Sequence, residues 1–374
     1  MPRTTLELRS TIAASGVLTL ALEEIAVADP APGEVIVRIE AAPINPSDLG
    51  LLVGPADIAT LEASGTPERP VLRLIVPQAR RAAVRARLDQ SLPIGNEGAG
   101  TVIAAGEGAE ALIGTRVAVI GGGMYTQLRR LPAAGCVVLP QDVTVTDGAA
   151  LFVNPLTALA FTDAMRREGH KAIVHTAAAS NLGQMLNRLC LADGIPLVNI
   201  VRSQAQAALL RGQGAVHVLD SSTAGFAARL ADSIAATGAT LAFDAIGGGD
   251  LAGMILEAME TAVNRQAEAY SRYGSSVFKQ VYIYGALDTR PTSLARNFGF
   301  AWGVGSWLLT PYLQKIGAQA SAALRQRVLA DIKTIFASRF TDRIGLAQAL
   351  HPDTFLAYER KLTGQKYLID PTLG

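Results

Sequence analysis

The first segment able to do chemistry is a turn of small residues between a predicted strand and a predicted helix. It reads Ala177-Ala-Ala-Ser-Asn-Leu-Gly183. Small residues let the backbone approach a pyrophosphate, and the N–H groups of the helix N-terminus then point at it. The match to the glycine motif of dinucleotide sites is partial. Gly183 holds the third glycine position, whereas Ala177 and Ser180 stand at the other two. The segment predicts a phosphate-binding turn; an ordinary strand-to-helix turn is the alternative.

The end of the next predicted strand indicates which nicotinamide cofactor would bind. A site for NAD usually has Asp or Glu about 20 residues beyond the first glycine, where it accepts from the ribose 2′-hydroxyl. Here the run is Asn199-Ile-Val-Arg-Ser203, which holds no carboxylate. Arg202 and Ser203 offer a cation and a hydroxyl to a 2′-phosphate, which favours NADPH over NADH. The alternative is that Arg202 only solvates the end of a strand.

The elements that must position these residues alternate in type from Asn154 onward. Helices of about ten residues separate the predicted strands, which cover 171–177, 196–201, 216–219, 240–245 and 280–285. Such alternation indicates βαβ units and a doubly wound parallel sheet of the α/β class. The ligand of such a sheet belongs at the C-terminal ends of the strands, where the strand order reverses.

The N-terminal third has a different pattern and is predicted to be rich in β-strands. Val35, Val37 and Ile39 alternate with other residues, and glycine-rich turns separate short Val/Ile runs between 92 and 139. Residues 56–90 differ in composition and are interpreted as an insertion that ends in a basic amphipathic helix with a solvated face. A second extension, 257–277, has no predicted function.

Composition excludes several classes of partner. The 374 residues include 33 basic and 32 acidic side chains, a formal net charge of +1. No field of one sign therefore concentrates a polyanion, so neither nucleic acid nor a membrane is expected as a partner, and a small molecule is. Cys136 and Cys190 form no CxxC motif, which fits a reducing compartment. Charged residues throughout the first 29 positions do not fit a signal peptide, so a cytoplasmic location is expected.

Six segments occur in the order seen in medium-chain dehydrogenases/reductases. They are Asn45-Pro-Ser-Asp48, Gly95-Asn-Glu-Gly-Ala-Gly100, Gly114-Thr-Arg-Val-Ala118, Asn154-Pro-Leu-Thr-Ala158, the turn 177–183 and Phe243-Asp-Ala-Ile-Gly-Gly248. Over nearly its whole length the chain resembles the zinc-independent branch of this superfamily, and is similar to quinone oxidoreductases and 2-enoyl thioester reductases.

The resemblance implies two domains and a homodimer. A GroES-like β-barrel catalytic domain would comprise 1–153 and 312–374, and a Rossmann dinucleotide-binding domain 154–311, with the active site in the cleft. Such proteins usually pair through a strand late in the Rossmann domain. The run 302–308 is interpreted as that strand; a strand in the core is the alternative.

The resemblance also implies where the cofactor and the substrate bind. Asn45, Thr157 and the segment 285–287 would lie near the nicotinamide, with Asn45 as an amide donor. Tyr125 is interpreted as a lining residue, with core packing as the alternative. The residues expected to bind the cofactor are Ala178, Ala179, Ser180, Asn181, Leu182, Gly183, Arg202, Ser203, Ala245, Ile246, Gly285, Ala286 and Leu287.

The residues at the zinc positions of related enzymes argue against a metal. Zinc-dependent relatives use a Cys near the Asn45 position and a His in a Gly-His-Glu motif, where this chain has Asn45 and Asn96. Carboxamides are poor zinc ligands. The four histidines are scattered without a ligand spacing, and they are His170, His175, His217 and His351. No metal site is therefore expected.

Without a metal the hydride acceptor must already be electron-poor. The sequence therefore predicts an NADPH-dependent, zinc-independent reductase of quinones or α,β-unsaturated carbonyl compounds. A 2-enoyl thioester reductase is an alternative, although the tyrosine that those enzymes carry near position 54 is absent from the run 52–56. A non-catalytic NADPH-binding protein and an alcohol dehydrogenase are the remaining alternatives.

Overall fold

The chain folds into two compact units, seen in a computed structural model that describes residues 3–373. One unit is formed by the chain up to Val153 and from Ile332 onward, and the other by Asn154–Asp331. The sequence placed the return to the first unit at 312, 20 residues before 332. The intervening helix stays with the second unit because the Tyr312 hydroxyl donates to Asp163 (2.6 Å) and Arg327 pairs with Asp193 (3.0 Å).

The strands and helices follow in chain order. Up to residue 148 they are β1 (Arg3–Ile12), β2 (Val17–Val27), β3 (Glu34–Pro43), α1 (Leu49–Leu52), β4 (Asp57–Gly65), β5 (Pro70–Ile75), α2 (Gln78–Arg81), β6 (Ser91–Pro93), β7 (Glu97–Ala105), β8 (Arg116–Ile120), β9 (Leu128–Pro132), β10 (Cys136–Val138) and α3 (Val145–Gly148). The middle of the chain forms α4 (Val153–Arg167), β11 (Ile173–His175), α5 (Asn181–Asp193), β12 (Leu197–Val201), α6 (Gln204–Gly212), β13 (His217–Asp220), α7 (Phe226–Thr237), β14 (Leu241–Asp244), β15 (Gly247–Gly249), α8 (Leu251–Asn264), β16 (Lys279–Ile283), β17 (Asp288–Thr292), β18 (Trp302–Ser306) and α9 (Leu309–Ala330). The C-terminal part forms β19 (Asp342–Ile344), α10 (Pro352–Glu359) and β20 (Tyr367–Ile369).

The first unit is built from two mainly antiparallel sheets, as the glycine-punctuated sequence predicted. One has the order β4-β5-β2-β1-β6, and the other the order β10-β8-β7-β3-β20-β19 with β9 also paired to β3. The predicted strand around Val35, Val37 and Ile39 is β3, and these three side chains are fully buried. Ile36 is buried as well. Both faces of β3 therefore pack against other parts of the protein, and the alternation does not indicate a solvent-exposed face.

The insertion 56–90 contributes a hairpin that the sequence did not predict. Strands β4 and β5 extend the sheet beyond β2. The predicted basic helix is only the short α2, followed by a 3₁₀ turn over Ala82–Arg87. Its face is not wholly solvated, because Arg87 donates to the Ser10 hydroxyl (2.8 Å) and Arg81 to the Val76 carbonyl (3.2 Å).

The second unit is a doubly wound parallel sheet, which confirms the predicted α/β class. Its strand order is β13-β12-β11-β14-β16-β18, and every neighbouring pair is parallel. Each of the five predicted strands lies within two residues of an observed one at either end. The order reverses between β11 and β14, so the C-terminal ends of these strands form the switch point at which such sheets bind ligands.

A buried ion pair fixes the extension 257–277, which joins α8 to β16. The Lys279 ammonium donates to Glu260 (2.6 Å), the Ser275 hydroxyl (3.0 Å) and the Val277 carbonyl (2.9 Å). The Lys279 side chain is fully buried. Burial alone raises the pKa of Glu260, but the hydrogen bonds from Lys279 and Ser275 outweigh it and bring this pKa to about 2.

None of the helices formed by residues 3–373 combines the length and the apolar character that a membrane crossing requires.

We expect Lys279→Met to lower the free energy of unfolding by about 3–5 kcal/mol, because it leaves the Glu260 carboxylate buried without a cation. Denaturant titration measures this, with the exposed Lys315→Met in the same unit as the control. The pKa of Glu260 is depressed, so its contribution is complete above about pH 4.5 and is lost as the pH falls through about 2. Lys279→Met should remove most of this acid dependence. Unfolding curves that match those of Lys315→Met would contradict the assignment.

Candidate functional site

The predicted phosphate-binding turn has a glycine-like backbone at its first position. Ala177 adopts a φ of 49°, a left-handed conformation that costs a residue with a Cβ about 1–2 kcal/mol. The Ser180 hydroxyl accepts the Gly183 N–H (3.1 Å) and caps the N-terminus of α5. Ala177 thus takes a backbone conformation that favours glycine, the residue at this position of the dinucleotide motif, and α5 begins shortly after the end of β11.

Gly183 is required by the close approach of α5 to the turn. A Cβ built on Gly183 would lie 2.2 Å from the Ala178 carbonyl oxygen, far inside van der Waals contact. The side chains of Ala178, Ala179 and Leu182 are buried. A ligand at this turn would therefore meet backbone groups and the half-buried Ser180 and Asn181.

Arg202 and Ser203 lie where β12 ends and α6 begins. Arg202 is exposed, and its backbone N–H donates to the Gln206 side chain (3.1 Å). Ser203 is the N-cap of α6, and its oxygen accepts the Gln206 N–H (3.3 Å). The guanidinium of Arg202 is thus presented at a strand end, whereas the Ser203 oxygen already has a role in capping the helix.

A buried carboxylate that the sequence analysis did not single out organises the end of β14. Asp244 accepts the Thr176 hydroxyl (2.6 Å) and the backbone N–H groups of Ile246 (2.9 Å) and Gly247 (3.1 Å). The Thr176 oxygen in turn accepts the Ala245 N–H (2.8 Å). The Phe243-Asp-Ala-Ile run carried this signal, since an Asp at the C-terminal end of a buried strand needs donors.

The segment 285–287 lies against the end of β14. A Cβ on Gly285 would come within 2.6 Å of the Ala245 carbonyl oxygen, and the Leu287 N–H donates to that oxygen (3.2 Å). Leu287 itself is 48% exposed. The structure thereby brings together the two predicted cofactor segments 245–246 and 285–287 at the C-terminal edge of the sheet.

His175 is a core residue of the second unit. It is fully buried, and its Nε2 lies 2.8 Å from the Tyr284 hydroxyl. Burial lowers the pKa of His175 to about 3, so the imidazole is neutral at physiological pH. Thr157 lies on α4 of the same unit and is 7% exposed.

In the first unit, Asn45 is part of a buried polar cluster. Its Nδ2 donates to Glu97 (2.8 Å), and its backbone N–H donates to Asp48 (2.8 Å). Asp48 also accepts the Asn96 N–H (2.9 Å). Burial raises the pKa of Asp48 to about 7. It also raises the pKa of Glu97, against the opposing field of Lys366. The amide proposed as a donor is therefore held in place by a carboxylate.

Tyr125 is packed in the core of the first unit. It is fully buried, and its hydroxyl donates to the Pro43 carbonyl oxygen (3.1 Å). Burial raises the pKa of Tyr125 well above its usual range. This placement fits the packing alternative rather than a residue that lines a substrate site, because the hydroxyl supports the loop that carries Asn45.

The residues at the zinc positions are engaged as amides. The Asn96 Nδ2 donates to the Ser47 hydroxyl (2.8 Å). Across residues 3–373, no group of three or more His, Cys, Asp or Glu side chains is arranged to hold a metal ion. Both cysteines are free thiols.

We expect Gly183→Ala to lower the free energy of unfolding by about 1–3 kcal/mol, because the new methyl group overpacks the contact with Ala178. Ala177→Gly is the matched control and should have the opposite effect. It should raise the free energy of unfolding by about 1 kcal/mol, because glycine adopts the left-handed conformation without strain. Denaturant titration of both measures the effect. Equal effects of the two substitutions would show that α5 is not held as closely as described.

Comparisons with known proteins find several sequences to which the chain is similar. The model of the alcohol dehydrogenase GroES-like domain matches residues 31–141, all in the first unit. The synaptic vesicle membrane protein VAT-1 homolog of Rattus norvegicus is 28% identical over 227 residues, 60% of this chain and 49% of that protein. The mitochondrial enoyl-[acyl-carrier-protein] reductase of Xenopus tropicalis is 27% identical over 208 residues, 54% of this chain and 51% of that protein. The chain spans about half the length of the curated relatives it matches.

Solved structures match the whole chain. A "putative NADPH:quinone reductase" of Mesorhizobium loti has a TM-score of 0.74 at 26% identity and covers 99% of both chains. A complex of Etr1p with NADP and crotonyl-CoA has a TM-score of 0.69 at 18% identity, over 98% of this chain and 100% of that one, which shows a shared fold alone. These similarities agree with the six ordered motifs of the sequence. Residues 31–141 therefore match the alcohol dehydrogenase GroES-like domain, and the chain as a whole is similar in fold to the quinone reductase structure named above.

Proposed function

We propose that the protein is an NADPH-dependent reductase that transfers hydride, without a metal, to a quinone or to an α,β-unsaturated carbonyl compound. The observation that carries this proposal is the switch point of the parallel sheet. There the serine-capped N-terminus of α5, the Asp244-held segment and the segment 285–287 converge at the ends of β11, β14 and β16. Such an edge is suited to a dinucleotide.

The residues around this edge fit NADPH. The backbone of the turn 177–183 would hold the pyrophosphate, and Arg202 would pair with the 2′-phosphate, since β12 ends without a carboxylate. The segments 245–246 and 285–287 would hold the nicotinamide end. When bound, NADPH supplies the hydride, and the protein positions the nicotinamide ring and the acceptor.

The proposed acceptor is a bond that is electron-poor before it binds. Hydride addition to such a bond places negative charge on an enolate or quinolate oxygen, and a fixed donor stabilises that charge. The Asn45 carboxamide, held by Glu97, and the Thr157 hydroxyl are the proposed donors. Tyr125 is proposed instead to support the Asn45 loop through the Pro43 carbonyl oxygen.

Three other functions compete with this one. The enoyl reductases among the relatives favour a 2-enoyl thioester as substrate. Against it, the run Leu52-Val-Gly-Pro-Ala56 lacks the tyrosine of those enzymes. A protein that binds NADPH without turnover is the second candidate. An alcohol dehydrogenase is favoured only by the name of the matched domain.

We also propose that two copies pair through β18. This strand ends the parallel sheet, with β16 as its only partner among the described strands. Its residues 302–305 are half-buried rather than enclosed, as expected for an edge that a second copy would cover. A cytoplasmic location stays a prediction.

We expect NADPH oxidation, followed by the nicotinamide absorbance, with quinones and short enones, and little with an enoyl thioester. A chelator should leave the rate unchanged, because amides replace the metal ligands. Preference for the thioester would favour the enoyl reductase. NADPH binding without oxidation would favour the binding protein, and loss of activity in chelator would contradict the metal-free mechanism.

We expect Arg202→Ala to weaken NADPH binding about tenfold or more, because a charge-assisted hydrogen bond to the 2′-phosphate is lost. NADH binding should not change. Fluorescence titration of both cofactors measures this. Arg265→Ala, which removes a surface ion pair with Asp232 in the same unit, is the control. An equal effect on NADPH and NADH would overturn the role assigned to Arg202.

A further inference from the structure

Lys366 is anchored beside the loop that carries Asn45. It immediately precedes β20, which pairs with the end of β3. The Lys366 N–H donates to the Thr341 hydroxyl (3.1 Å), and its carbonyl accepts the Thr341 N–H (2.9 Å). The next residue, Tyr367, accepts the Ile44 N–H (3.0 Å). The backbone of Lys366 is therefore fixed relative to the residue before Asn45.

The ammonium of Lys366 is buried without a hydrogen-bond acceptor in the described part of the chain. The residue is 8% exposed, and Nζ lies 5.4 Å from the centre of the Phe340 ring, within reach of a weak cation–π contact. Burying a charge in this way is costly unless nearby charges compensate. The compensating charges are the carboxylates of Glu97 and Asp48.

Glu97 accepts three hydrogen bonds, which only an ionised carboxylate does well. The donors are the Asn45 Nδ2 (2.8 Å) and the backbone N–H groups of Phe152 (2.8 Å) and Val153 (2.9 Å). If either Glu97 oxygen were protonated, its O–H group would face an N–H group that already donates to it. The orientation of the Asn45 amide therefore depends on the charge of Glu97.

We propose that Lys366 is a positioning residue whose buried ammonium keeps Glu97 ionised and so fixes the Asn45 carboxamide. The catalytic part of this inference rests on the proposed reductase function. The effect of Lys366 on Glu97 and on the Asn45 amide concerns only the first unit and does not depend on that function. Lys366 itself is not assigned a contact with substrate.

The surroundings of Lys366 make its effect dependent on pH. Burial lowers the pKa of Lys366 to about 8, although Glu97 and Asp48 raise it. The other titratable groups of the cluster are Asp48, whose pKa burial raises to about 7, and Tyr125 and Tyr358, which stay neutral because burial raises the pKa of each well above its usual range. As the pH rises through about 8, the ammonium loses its proton and the two carboxyl groups lose their cation.

The test is a pH titration of the Asn45 side-chain amide by ¹⁵N NMR, with the signal assigned by its absence in Asn45→Asp. In the wild-type protein the signal should shift with an apparent pKa near 8, as expected for a lysine lowered by burial. Lys366→Met should abolish this step near pH 8, whereas a step that comes from Asp48, whose pKa is about 7, is identified by its loss in Asp48→Asn. Lys366→Arg should keep the low-pH position up to about pH 10, because a guanidinium does not titrate there.

Lys333→Met is the control for lost charge, since Lys333 pairs with Asp142 on the surface of the same unit. It should titrate as the wild type does. A wild-type amide signal that is flat from about pH 6 to about pH 10 overturns the proposal, whether or not a variant folds. An unchanged titration in Lys366→Met also overturns it.

Activity gives a second readout. Lys366→Met should lower kcat about tenfold or more with the KM for NADPH unchanged, because the cofactor residues lie in the other unit. The wild-type rate should fall above about pH 8 and the Lys366→Arg rate should not. If the wild type reduces no acceptor, the proposed function fails. The amide titration still decides the role of Lys366.

Discussion

The close approach of α5 to the turn after β11 is the constraint on which the proposed cofactor site depends. A side chain at Gly183 would collide with the Ala178 carbonyl, so glycine is needed there although the other glycine positions of the motif are occupied by different residues. Ala177 adopts a left-handed backbone conformation there, which is unfavourable for a residue with a Cβ. Capping by Ser180 then leaves the helix N-terminus at the switch point of the sheet.

In each unit a buried carboxylate holds a loop of the proposed site. In the second unit Asp244 collects a threonine hydroxyl and two backbone N–H groups. In the first, Glu97 collects the Asn45 amide and two backbone N–H groups. Charge-assisted bonds of this kind are strong in a buried setting, and they fix positions that loops alone would not hold. A buried carboxylate therefore holds a loop of the proposed cofactor site in the second unit and a loop of the proposed substrate site in the first.

The sequence predicted the parallel sheet because strongly apolar strands and helices of regular length alternate between 171 and 285. It missed the hairpin of β4 and β5, since the residues of β4 are largely exposed and show no clear alternation. It also missed Lys366, which lies far from Glu97 in sequence and feels its charge only because β20 returns to β3. Tyr125 follows a glycine turn, and nothing local distinguishes a lining residue from the core residue that it is.

The central claim is direct hydride transfer from NADPH without a metal. Single-turnover oxidation of NADPH deuterated at C4 of the nicotinamide, with a quinone and in the presence of chelator, tests it most directly. We expect a primary isotope effect for deuterium at only one of the two C4 positions, because the protein fixes one face of the nicotinamide ring. NADPH that binds but stays unoxidised would contradict this mechanism. A rate that shows no isotope effect at either position and is abolished by chelator would contradict it as well.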